Sequence, residues 1–337
     1  MGRIEIDGSH MEGGGQILRT ALGLSAATGT PVRIHSIRKG RSNPGLAAQH
    51  LAGVRAVAQT CSAEMEGASL RSTELEFSPG PLEPPDTITA EVGTAGSVTL
   101  VLQGLMIALA AAGRTVELNV TGGTHVRWSP TTDYFRQVFA WHGGRVGLGV
   151  VTLDEQPGFY PKGGGRIRLE VQPGDLAPID LRTRGELRAV TVRSLAHEQL
   201  RDARVAERQV EGVREVLEPD RERAEYCKAP SVGTAVLATA EYDNCRLGAS
   251  ALGERGRPSE AVGAEAGARL RAAMESGGCL DRHMADQILP YLALAGGESC
   301  VRVEEVTGHC RTNIWVIEQF LPVHFEVDEG LGLITCR

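Results

Sequence analysis

The chain has 337 residues, 42% of them apolar and 23% charged, a composition that builds globular cores and excludes long disorder. The net charge is −7, with 35 Lys and Arg against 42 Asp and Glu. That balance excludes a globally basic nucleic-acid coat but leaves room for a local basic pocket. The N-terminus MGRIEIDGSH carries charges where a secretory signal has its apolar region. The longest apolar run, 98–112, is broken by Thr99, Gln103 and Gly104 and falls short of the roughly 20 residues a membrane span needs, so no membrane role is expected. Seven cysteines occur without a C-x-x-C pair. That pattern reads as reduced thiols in a cytoplasm and not as a structural zinc site.

In chain order, GRIEID, TPVRIHSI, TVELNV, RIRLEV, CVRVEEV and HFEVD alternate as half-buried strands do. Three segments repeat one pattern of apolar helix, Gly, strand and polar loop: 18–45, 102–130 and 285–313. The glycines expected to end the three helices are Gly29, Gly113 and Gly296. Gly29 and Gly113 stand 84 residues apart, and Gly113 and Gly296 stand 183 apart. The excess of 99 residues has the size of a small domain. The expected organisation is therefore a three-unit body, residues 1–182 plus 277–337, with an inserted α/β domain at 183–276. Within the insert, LRAVTVRSLA and AVLATAEY read as strands. The run 201–220 reads as a long charged helix, and a second helix is expected near 259–276. The fold class is α/β, or α+β, with helices layered on sheets.

The repeat also aligns polar residues. Arg19, Gln103 and Asp286 each lie ten residues before their anchor glycine, inside otherwise apolar helices. The polar loops after the strands carry Arg38 and Arg41, then His125 and Arg127, then His309 and Arg311. Such loops either converge on one side of a pseudo-symmetric body or are each simply solvated.

EGGGQILR, residues 12–19, puts three glycines before a helix, a pattern that exposes backbone N–H donors to an anion. Glu12 there suits a hard divalent cation and Arg19 a phosphate oxygen; the alternative is a tight turn with a solvated glutamate. Arg38, Lys39 and Arg41 are either phosphate ligands or a solvated charged turn. Gln49 and His50 begin a helix. YPKGGGRIRL reads as a turn into a strand, with Lys162 as a phosphate candidate. In TGHCRTN, His309 has Gly308, Thr312 and Asn313 as polar company, and an imidazole there can be a nucleophile, a base or structural. Asp286 and Gln287 either bind a ligand or complement the dipole of their helix.

Taken together, DGSHMEGGGQILR, RKGRSNPGLAAQHL, GTAGSVTLVLQ, LGERGRPSE, HMADQ and GHCRTN resemble the RNA 3′-terminal phosphate cyclase family, in order and over nearly the full chain. The resemblance implies a body of three β-α-β-α-β-β units like the C-terminal domain of translation initiation factor 3, with one inserted domain. It also implies ATP, Mg²⁺ or Mn²⁺, and an RNA 3′-phosphate end as partner. By position, His309 would be the nucleophile that carries AMP, and Glu12 would hold the metal. Gln103, Pro130, His283, Met284, Ala285, Asp286 and Gln287 would line the nucleotide site. Arg19, Arg38 and Arg41 would receive phosphate, with Gln16, Gln49 and His50 nearby. His283 departs from members that have a tyrosine on the base. Two other readings stand beside the enzyme: a non-catalytic ribosome-assembly relative, which would lack the histidine, and an enolpyruvyl-transfer enzyme built from similar repeats.

Overall fold

The computed structural model describes residues 2–337, a mixed α/β protein with four small mixed sheets. The first sheet is built from β1 (Ile4–Asp7), α1 (Gly15–Thr28), β2 (Val32–His35), α2 (Ala48–Cys61), β3 (Glu64–Glu66) and β4 (Leu75–Ser78). Its spatial order is β1-β2-β4-β3, with β1 and β2 parallel and the other pairs antiparallel.

The second sheet uses β5 (Thr87–Glu91), α3 (Val98–Ala110), β6 (Val116–Gly122), α4 (Thr132–Tyr134), a π-helical turn at Phe135–Phe139, α5 (Ala140–Arg145), β7 (Leu148–Gln156) and β8 (Gly165–Pro173). Its order, β5-β6-β8-β7, repeats the first. Alternation buries one face: Val116, Leu118 and Val120 of β6, and Ile167, Leu169 and Val171 of β8, are fully enclosed. Each such side chain contributes about 1.5–3 kcal/mol.

After β9 (Asp180–Leu181) the chain leaves for a sheet of its own. That sheet comes from β10 (Leu187–His197), α6 (Val205–Arg214), β11 (Arg221–Cys227), β12 (Thr234–Tyr242), β13 (Arg246–Leu252) and α7 (Ser259–Glu275), in the order β11-β10-β12-β13. A separate core, with Val192, Val213, Val236, Leu247 and Leu270 among its members, lies between this sheet and its helices. The chain then returns through α8 (Met284–Ala295), β14 (Ser299–Arg302), α9 (Gly308–Phe320), β15 (Phe325–Asp328) and β16 (Leu333–Cys336). β14 pairs with the waiting β9, so the fourth sheet, β9-β14-β16-β15, has the same order as the first two.

The apolar helix α3 is buried nearly all round and packs on α1, α2 and α8, as a helix without a polar face must. At the α1–α3 crossing, a Cβ on Gly23 would come within 2.8 Å of the Gly104 carbonyl, so glycine permits the close approach there. Gly29, Gly113 and Gly296 all take left-handed φ values, and Gly29 and Gly296 are the caps of α1 and α8. In two places the structure departs from expectation. The charged run 201–220 forms a helix over only ten residues, because Arg204 turns left-handed before it and Val216 and Leu217 both bond back to Val213 ahead of Pro219. His309 sits not in a loop but in the first turn of α9, which starts early because Thr307 caps it by accepting from the Cys310 amide at 3.2 Å. No helix among the described residues is long and apolar enough to cross a membrane.

Candidate active site where three helices begin

The first turns of α1, α8 and α9 meet, and side chains from residues far apart in sequence interlock there. Gln16, buried at the start of α1, donates from Nε2 to Asp286 Oδ2 on α8 at 2.9 Å and to the His309 carbonyl on α9 at 3.1 Å. Arg19 Nε donates to Gln103 Oε1 at 3.0 Å, and Gln103 Nε2 donates to Gln287 Oε1 at 3.0 Å. Of the three repeat-equivalent polar positions, Arg19 and Gln103 are thus in direct contact, while Asp286 is tied to α1 through Gln16. Above this floor stands the pair that faces solvent: His309 Nε2 lies 2.9 Å from Glu12 Oε2, with the two side chains 48% and 39% exposed. A Cβ on Gly308 would fall 2.3 Å from Glu12 Oε1, so glycine before the histidine leaves room for the carboxylate.

The electrostatics favour an anion. Arg19 donates to a neutral amide and, among the described residues, has no carboxylate at ion-pair distance; its dense surroundings pull its pKa down to about 10, and Asp286 opposes that fall. Burial pushes Asp286 up to about 7, only partly offset by Arg19, and burial likewise holds His50 down at about 3. The His50 imidazole is therefore neutral, with Nδ1 accepting from the Ala47 amide at 3.1 Å. Desolvation lowers the pKa of His309, and Arg19 and Arg41 act in the same sense while Glu12 opposes them. An unprotonated imidazole at a helix N-terminus, beside cations, combines a nucleophile with a phosphate seat.

The remaining expected residues fall into place unevenly. Arg41 Nη2 donates to the Glu12 carbonyl at 3.2 Å, on the rim. Arg38, itself left-handed at φ 56°, braces its own loop by donating to the Gly45 carbonyl at 2.8 Å. Gln49 accepts from the Ser97 amide at 3.0 Å, and Pro130 accepts from Thr99 Oγ1 at 2.7 Å, one turn before Gln103. His283 is exposed at the start of α8, while Met284 and Ala285 are fully enclosed in the core; only their backbone is available to a ligand.

Thr312 and Asn313, expected beside the His309 ring, turn elsewhere: Thr312 donates to the Gly308 carbonyl and Asn313 to the Asp286 carbonyl. Arg311 pairs with Glu329. Two participants were not anticipated. Thr20 donates to Asn313 Oδ1 at 2.7 Å. Asp281 accepts from Tyr134 Oη at 2.6 Å and from the amides of Gly248, His283 and Met284, each at 3.0 Å. An Asp shortly before a helix is a capping signal that would have found it.

The second loop of the repeat does not join the site. His125 is buried, 3.1 Å from Asp133 Oδ2, and with Glu155 the two make a compact three-residue group. Arg136 and Arg193 already pair with Asp133, and Arg136 reaches Glu155 at 3.7 Å, so the group is a closed ion network that disfavours a further cation. A cavity of about 660 Å³ beside it is lined by Arg136, Glu155, Arg193, Arg201, Glu225 and Tyr226 among others, and none of its lining residues belongs to the Glu12–His309 site. The chemistry of the donor set points instead to Glu12 as a cation ligand. Its carboxylate is accessible, and a carboxylate oxygen fits a hard divalent ion.

A family model described as RNA 3′-terminal phosphate cyclase matches residues 10–327. Proteins named RNA 3′-terminal phosphate cyclase from Methanopyrus kandleri, Nitrosospira multiformis and Thermococcus kodakarensis are 45%, 44% and 43% identical to the chain. The alignments cover 97–99% of this chain and 96% of each relative.

Proposed function

The chain belongs to the RNA 3′-terminal phosphate cyclase family, and from that premise we propose that it converts an RNA 3′-phosphate to a 2′,3′-cyclic phosphate at the expense of ATP, through His309. The observation that carries the reading is His309 itself: an accessible imidazole, depressed in pKa, at a helix start, beside Glu12 and within the field of Arg19, which donates to a neutral amide.

A nitrogen of that imidazole attacks the α-phosphorus of ATP; an N–P bond forms and pyrophosphate departs. The AMP then passes to the terminal phosphate of the RNA, which is otherwise a poor electrophile. The neighbouring 2′-hydroxyl attacks this activated phosphate, closes the ring and expels AMP. Covalent relay splits one hard displacement into easier ones, and the last step profits from a nucleophile held on the same sugar. Glu12 would hold Mg²⁺ or Mn²⁺, which when bound offsets negative charge on the triphosphate. Arg19 and Arg41 would take phosphate oxygens, with Arg38 keeping their loop in shape. Gln103, Gln287, His283 and Pro130 would border the nucleotide.

The same reading treats residues 1–182 plus 277–337 as a three-unit body like the translation initiation factor domain, with 183–276 inserted. The repeated strand order of three sheets supports it. Seven unpaired cysteines fit a cytoplasmic setting.

The test is to incubate the protein and His309→Ala with Mg²⁺ and ATP labelled at the α-phosphate, without RNA, and to count label on denatured protein. Acid-labile label on the wild type alone is the expected result. Absence of label on a wild type that still binds ATP would move the assignment to a non-catalytic RNA-binding relative.

A further inference from the structure

Two large aromatic rings stand in solvent, Trp128 at 92% exposed and Tyr160 at 74%; the other Phe, Tyr and Trp rings among the described residues are at least half-covered. The fold joins their loops. Trp128 follows β6, Tyr160 lies between β7 and β8, and an isolated bridge pairs His125 with Phe159. Neither loop is slack. Ser129 Oγ donates to the Val126 carbonyl at 3.1 Å, Arg127 pairs with Glu254 at 2.7 Å, and the Gly163 amide donates to the Phe159 carbonyl at 2.9 Å.

Trp128 holds φ 60°, a left-handed value that is a genuine outlier for a bulky residue. Strain of this kind persists where the surroundings fix it, and it clusters at ligand clamps. Both loops also back onto the site. Pro130 is bonded to Thr99, one turn from Gln103, and a Cβ on Gly163 would meet Ala95 Cα at 2.7 Å, in the segment that leads into α3. Lys162 stands exposed beside Tyr160.

We propose that Trp128 and Tyr160 form a stacking platform for the bases at the 3′ end of the RNA, with Lys162 beside a backbone phosphate. The proposal rests on the cyclase reading and adds the recognition surface. An enzyme that acts on ends must accept any terminal base, and stacking on aromatic rings is sequence-tolerant because every base has a π-face. The rings lie on exposed loops outside the floor built by α1, α8 and α9, where they meet what arrives from bulk solvent.

The experiment compares wild type with Trp128→Ala, Tyr160→Ala, the double variant and Trp128→Phe. Label uptake from ATP alone is expected to be unchanged in all of them. The KM for a 3′-phosphorylated oligonucleotide is expected to rise about tenfold for each ring lost, with kcat little altered and Trp128→Phe restoring most of the loss. On an oligonucleotide whose last two nucleotides are abasic, wild type and variants converge. Equal KM values on the normal oligonucleotide would overturn the platform. So would a defect confined to label uptake, which would assign the rings to ATP, or a gap that persists on abasic RNA, which would make them structural.

Binding of the same oligonucleotide to unreacted protein, read by fluorescence anisotropy, needs no chemistry. Binding weakened by loss of the rings, without label on His309, keeps the platform and removes the cyclase reading; no dependence on the rings in that assay removes the platform.

Discussion

His309 and Glu12 are a mutually adjusted pair. Burial and the two arginines lower the pKa of the imidazole below its ordinary 6.5, and Glu12 is the neighbour that works against them. On the proposed reading the neutral form is the nucleophile, so label uptake should fall as the pH drops, with a midpoint below that of an ordinary imidazole. Replacing Glu12 by Gln removes the one raising influence. An NMR titration of the His309 ring should then show its midpoint moving further down; an upward move would show that the carboxylate does not stabilise the protonated ring. Burial pushes Asp286 up to about 7, so the floor beneath the pair holds a carboxyl that gives up its proton less readily than an exposed aspartate.

At the scale of elements, helix starts supply the amides and side chains, and a hidden carboxylate fixes how α8 begins. Asp281, 1% exposed, ties the Tyr134 hydroxyl, the Gly248 amide on β13 and the first amides of α8 to one group. Asp281→Ala leaves a buried phenol and several donors unpaired. Urea unfolding should show a loss of about 3 kcal/mol or more, with Asp281→Asn intermediate; a loss below about 1 kcal/mol would show that water replaces the carboxylate. The α8 start was legible in HMADQ as a polar prelude to an apolar run, and α1 was legible from its glycines. The role of Asp281 was not, because two of its partners, Tyr134 and Gly248, come from elements that only tertiary folding brings near. The placement of His309 inside α9 was missed for a local reason: Gly308 and the polar 311–313 segment look like loop, while the Thr307 cap that starts the helix is a single hydroxyl. The repeat arithmetic, by contrast, marked which polar residues would be equivalent, and Arg19 and Gln103 are in direct contact. It failed for His125, whose ring is claimed by Asp133 and Thr124.

For the whole molecule, the question is how a sheet with its own core is held to the rest. Arg184 lies on the outgoing segment, and its guanidinium donates to the carbonyls of Ala273 and Met274 at the end of α7 and of Gly278 on the return, at 2.6–2.7 Å, while stacking over Tyr242 at 5.1 Å. One side chain thus clasps both crossings. Arg184→Ala should raise hydrogen exchange in 183–186 and 273–279 by roughly tenfold or more, since charged hydrogen bonds of this kind contribute about 1.5–3 kcal/mol. Label uptake at His309 should persist, because the clasp touches none of the residues beneath the histidine. Unchanged exchange would mean that the two crossings are held by the sheets alone.

The hydrogen bond from Gln16 to the His309 carbonyl spans 293 residues of chain. On the cyclase reading, a ribosome displays Glu12, Gln16 and Arg19 long before it makes the imidazole they serve. The site is assembled only when α9 folds back onto the start of α1, so its formation reports that two distant stretches of chain have met.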